Sequence, residues 1–116
     1  MKRLLAICTI FLVLVACDQE KEPVGLLSEE QMVAVLIDIH FTEGVASALP
    51  ISYDSSQVLY SLMEKDVFLN HGVEDSVFTE SMRYYLQFPK TMDRIYARVI
   101  DSLVVRESSG DIEEKM

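Results

Sequence analysis

An apolar leader that ends at a cysteine sets the terms on which this chain folds. Residues 1–17 read MKRLLAICTIFLVLVAC. Lys2 and Arg3 give a basic start, Leu4 to Val15 is apolar apart from Thr9, and small residues close the run before Cys17. This is the layout of a secretory signal peptide. A transmembrane anchor is the competing assignment, but the run falls short of the ~20 apolar residues a spanning helix needs. Removal of residues 1–16 leaves 100 of the 116 residues, enough for one domain with a modest core.

The close of the leader, Leu14-Val15-Ala16-Cys17, resembles the bacterial lipoprotein box. That resemblance implies cleavage before Cys17 and lipid on its sulfur. Two or more acyl chains anchor a protein stably where one does not. The chain has two cysteines: Cys8 leaves with the leader and Cys17 carries lipid. No thiol then remains for a disulfide, a metal or a nucleophile, and the fold must stand on side-chain packing.

Charge narrows the partners. Loss of Lys2 and Arg3 takes the formal net charge from −9 to −11. A nucleic-acid partner is not expected, because basic groups must replace phosphate counterions. Anionic headgroups would repel the same surface, so the expected membrane contact is the lipid on Cys17. Asp18 to Gly25 reads as a polar tether in which Pro23 and Gly25 disfavour helix. Asp18, Glu20 and Glu22, interrupted by Lys21, also resemble an envelope sorting signal. The expected location is the cell envelope, at the outer membrane rather than the inner, either periplasmic or surface-exposed.

Four helical segments follow. Ser28-Glu29-Glu30-Gln31 fits a capping box, and Met32, Val33, Leu36 and Ile39 then recur at helical spacing. Val35, Ile37 and Phe41 lie elsewhere on that helix, which fades between Gly44 and Pro50. Asp54-Ser55-Ser56-Gln57 opens a second helix with Val58, Leu59, Leu62 and Met63 on one side, stopping at Gly72. A third starts at Glu74 or Asp75, with Val73 and Phe78 placed for a hydrophobic staple if Glu74 is the cap, and Pro89 ends or sharply bends it. The fourth runs from about Thr91 to Arg106 along Met92, Ile95, Tyr96, Val99 and Leu103, widened by Ile100 and Val104.

These segments predict an all-α, four-helix bundle-like domain over 28–106, after a leader (1–16) and a lipidated tether (17–27) and before a disordered acidic tail (107–116). The expected core is Leu36, Ile39, Leu62, Phe78, Tyr85, Ile95, Tyr96, Val99 and Leu103.

His71-Gly72-Val73, then Phe78-x-x-Ser81-x-x-Tyr84-Tyr85, Pro89 and Ile95-Tyr96-x-x-Val99, resemble a set of bacteroidete-type envelope lipoproteins. These carry the domain of unknown function numbered 4296. Ser28, the Met32-Val33 pair and Asp38-Ile39-His40 extend the resemblance, which covers about Leu27 to Leu103. It implies a small helical lipoprotein and brings no activity, ligand or catalytic residue. On physical grounds Phe78, Ser81 and Tyr85 share one side of a helix, where the small serine would let a neighbouring helix approach. Tyr84, about 100° further round, would face solvent or a partner.

Chemistry is sparse. His40 and Glu43 share a helix face, and a metal would need Asp38, Asp66 or His71 to converge on them; solvated polar faces are the default. His71 beside Gly72 is expected to meet the C-terminal end of its own helix. Arg98 and Asp101 form a candidate surface ion pair along the last helix. No phosphate loop, nucleophile elbow or isolated carboxylate pair is present, so no cofactor, metal or catalysis is expected.

The leading expectation is a structural or adaptor lipoprotein of an envelope complex, with Tyr84, Ile100 and Val104 as the partner surface. A holdase-like chaperone is the alternative, with Met32, Met63, Met82 and Met92 as an adaptable lining. An enzyme or ligand-binding protein would need a deep, polar-lined pocket.

Overall fold

Ser28 starts the helical domain with a reciprocal cap: its Oγ accepts from Gln31 N–H at 3.1 Å, and its own N–H donates to Gln31 Oε1 at 2.9 Å. In a computed structural model, described for residues 1–14 and 21–110 with side chains described for 1–11 and 21–110, the chain is all-α. Its helices are α1 (Lys2–Leu14), α2 (Glu29–Ala48), α3 (Tyr53–His71), α4 (Asp75–Tyr85) and α5 (Pro89–Ser108). The last four are the expected set; α1 falls within residues 1–16, the span expected to be a leader. Among the described residues no helix is long and apolar enough to cross a membrane. Cys17 and residues 111–116 lie outside the described residues.

Local chemistry explains most boundaries. Gly72 takes φ 63°, and the N–H groups of Gly72 and Val73 close α3 onto the carbonyls of Leu69 (3.1 Å) and Phe68 (3.0 Å). That left-handed cap is cheap only for a residue without Cβ. Two starts differ from expectation. Ser52, not the Asp54 segment, caps α3, its Oγ accepting from Ser55 N–H at 3.2 Å. Pro89 opens α5 instead of ending α4, which has already stopped at Tyr85. A proline lacks the N–H that a first helical residue does not need.

α2 is the centre of the domain, packing against α3 on one side and α5 on the other. This explains why its apolar residues surround it instead of forming one stripe. Met32, Val33 and Leu36 join Leu27, Tyr85, Met92, Ile95 and Val99 in one cluster. Val35 and Ile39, offset around the helix, join Val67 and Phe68 of α3 in a second. Val35, placed outside the expected core, is therefore among the most deeply buried side chains.

The expected core needs two revisions. Leu62 is 56% exposed and Val58 63%, because α3 presents Val67 and Phe68 to α2 and turns its earlier apolar residues outward. Phe78, Tyr96 and Leu103 pack against the core but are only half-buried. Leu36, Ile39, Tyr85, Ile95 and Val99 are buried as expected. The packed domain also extends beyond 28–106: Leu27 is a core residue, and α5 takes in Glu107 and Ser108.

Candidate functional site

Three polar nodes tie the helices together. In the first, Asp38 of α2 meets His71 at the end of α3, with Nε2 2.7 Å from Asp38 Oδ2. Arg106 of α5 donates from Nη1 to Asp38 Oδ1 at 3.1 Å, and its guanidinium lies 5.5 Å from the centre of the Phe41 ring. His71 therefore reaches across to α2 and not to the end of its own helix. Both oxygens of Asp38 are engaged, one with a side chain of α3 and one with a side chain of α5. The arrangement is that of a tie between three helices.

The second histidine is elsewhere. His40 Nδ1 lies 3.4 Å from Glu43 Oε2, as their spacing on α2 predicts, and its ring meets Tyr96 at 5.8 Å. Its Nε2 is buried with no hydrogen-bond partner. Asp38 and His71 converge, but among the described residues no three His, Cys, Asp or Glu side chains gather as metal ligands.

In the second node, α5 reaches across to the start of α2. Arg94 Nη2 donates to Glu29 Oε1 at 2.7 Å, and Arg98 makes a two-pronged contact with Glu30 at 2.6 and 2.7 Å. Arg98 was expected to pair with Asp101 on its own helix; the fork of Glu30 offers two parallel bonds instead. The Arg98 hydrogen bonds hold the Glu30 carboxyl below its usual range. These carboxylates also sit in the first turn of α2, where the helix dipole favours negative charge.

The third node lies at α4. Leu27 N–H donates to Ser81 Oγ at 3.1 Å, Ser81 Oγ donates to the Val77 carbonyl at 2.7 Å, and Tyr85 Oη donates to the Leu27 carbonyl at 2.7 Å. Ser81 is fully buried. The small residue between the aromatics thus admits the extended segment at Leu27, where a neighbouring helix was expected. Burial, followed by Glu29, pushes the Tyr85 phenol up. Burial and then the Glu64 hydrogen bond push the Tyr60 phenol up as well.

The expected partner surface divides. Ile100 and Val104 are each 56% exposed and line an apolar trough of about 330 Å³ with His40, Phe41, Gly44, Val45, Leu103 and Glu107. Tyr84 does not line that trough. It is half-buried, its ring 5.5 Å from Tyr85 and 5.2 Å from Phe88, so it closes the turn from α4 to α5. Of the methionines considered as a binding lining, Met32 and Met92 are core and Met63 and Met82 are half-buried. The reading of the sequence missed a second exposed apolar surface, on α3. Its signal was there in the spacing of Ser55, Val58, Leu62, Lys65 and Leu69, three and four residues apart.

Neither a curated protein nor a solved structure matches the chain. One family model does, over residues 23–109, a span that takes in Leu27 and every residue of the three nodes. The chain therefore belongs to the family described as domain of unknown function (DUF4296).

Proposed function

We propose that this protein is a lipid-anchored cell-envelope protein that serves as a structural or adaptor subunit of an envelope protein complex. The observation that carries the reading is the apolar trough between α2 and α5, with Ile100 and Val104 exposed at its edge. A face that served only as core would leave no such surface uncovered. An amphipathic helix of a partner fits a shallow, apolar trough of this kind. The sequence of residues 1–17 supports the anchor, with lipid on Cys17. The inward placement of Met32 and Met92 favours an adaptor over a holdase, which needs its adaptable side chains on the surface. The three polar nodes favour a binding module over an enzyme, since their groups are consumed in holding helices together.

Crosslinking the intact, C-terminally tagged protein in its native cells tests the reading. Recovery of one or two stoichiometric envelope proteins is the expected result. A broad set of incompletely folded exported proteins would replace the adaptor with a chaperone.

A further inference from the structure

The outer face of α3 is apolar, acidic at its edges and built to a helix-packing repeat. Val58, Leu62 and Leu69 are 63%, 56% and 77% exposed. With Ser55 and Lys65 they form a seam spaced three and four residues apart, the spacing by which one helix receives another. α3 buries only Val67 and Phe68 against the rest of the domain, so the seam is turned away from α2. Two depressions continue along it. One lies beside Val58, Leu59 and Leu62, and a larger one of about 610 Å³ lies beside Phe68, Leu69 and Val73.

Charge selects the occupant. The two depressions are edged by Asp54, Glu64, Glu74 and Asp75 against the single base Lys65. None of these four carboxylates has an ion-pair partner among the described residues. The arginines of α4 and α5 are committed elsewhere, Arg83 to Glu80, Arg94 to Glu29, Arg98 to Glu30 and Arg106 to Asp38. A second copy would bring the same acids against themselves, at a formal charge of −9 for each chain.

We infer that the seam on α3 is a docking site for a basic amphipathic helix of a partner protein. Its leucine-type side chains lie along Val58, Leu62 and Leu69, and its lysines or arginines meet Asp54, Glu64, Glu74 and Asp75. The seam runs from Ser55 to Leu69, so about four turns of partner helix are engaged. The inference rests on the adaptor reading and adds a second binding face to the α2–α5 trough, on the other flank of α2.

The test uses the full chain in a neutral detergent, with isoleucine, leucine and valine methyl groups labelled for NMR. Two synthetic helical peptides carry identical leucines, one with lysines on its polar face and one with glutamates. The lysine peptide is expected to shift the methyls of Val58, Leu62, Leu69 and Val73 saturably, and to bind at least about tenfold more weakly when salt is raised from about 0.05 to 0.5 M. Leu69→Ser and the pair Glu74→Gln, Asp75→Asn should each weaken it at least about fivefold, with the remaining methyl spectrum unchanged. The proposal is overturned if no shift appears at about 1 mM lysine peptide, if the glutamate peptide binds equally, or if shifts centre on Ile100 and Val104. Shifts of the same methyls on raising protein concentration without peptide would overturn it in favour of self-association. The adaptor reading fails separately, if crosslinking of the parental chain in cells yields no stoichiometric envelope protein.

Discussion

Tyr85 donates its phenol hydrogen to the carbonyl of Leu27 at 2.7 Å, across 58 residues of chain. Ser81, one turn earlier on α4, accepts the N–H of the same leucine. Both backbone groups of Leu27 are thus satisfied by α4 before α2 begins. On the lipoprotein reading, this fixes where the chain that follows Cys17 enters the domain.

Replacing Tyr85 by Phe leaves a buried carbonyl without its donor. The expected loss is about 1–3 kcal/mol in urea unfolding at neutral pH. The folded state raises the Tyr85 phenol, so its contribution is complete below the unfolded value near ~10 and is lost as pH rises beyond it. Stability should therefore fall at alkaline pH, and Tyr85→Phe should flatten part of that fall. Tyr60, shifted in the same direction, accounts for another part, which Tyr60→Phe should remove.

Phe78 meets Phe68 in a tilted ring contact at 5.4 Å, joining α4 to the α2–α3 cluster, but it is only half-buried. Phe78→Ala should cost about 2 kcal/mol, short of the roughly 3–5 kcal/mol of a fully enclosed phenylalanine. Ile95→Ala, at a site 1% exposed, should cost about 3–4 kcal/mol. Equilibrium unfolding of both variants gives the order directly, and a costlier Phe78 variant would contradict the packing described.

Glu30 should titrate below the usual glutamate range because of the Arg98 fork. Its folded value is depressed, so the contribution of the pair is present above the unfolded value near ~4.5 and disappears as pH falls through the folded one. Side-chain NMR titration should show a depressed midpoint that returns to normal in Arg98→Gln.

The helical segments were legible because their signals are local. Ser28 with Gln31, Gly72, and the stripe of Met92, Ile95 and Val99 each specify structure within a few residues. The error at Leu62 has a different origin. A helix with two apolar sides does not say which one its neighbour will cover, and only the pairing of Phe68 with α2 decides it. The partners of Asp38, Arg98 and Leu27 lie 33 to 68 residues away and leave no periodic trace. Two stretches that carry the family resemblance, Asp38-Ile39-His40 and His71-Gly72-Val73, do meet in the fold through Asp38 and His71. Of the candidate surface, Ile100 and Val104 were readable as excess apolar width on α5, whereas Tyr84 was consumed by the turn it closes.

Cys17→Ala should abolish lipidation. Fractionation should find the variant released from membranes or held as an unprocessed precursor. A variant that fractionates and migrates like the parent would contradict the anchor.

The most direct measurement is quantitative co-purification from cells producing either the parental chain or Ile100→Asp with Val104→Asp. Both side chains are over half exposed, so the double variant should keep its membrane fraction and its thermal midpoint within the small range typical of surface changes. The adaptor account predicts that a stoichiometric envelope protein recovered with the parent is lost with the variant. Equal recovery from both chains would contradict the assignment of the α2–α5 trough as the docking face, and recovery of no stoichiometric partner with the parent would contradict the adaptor itself.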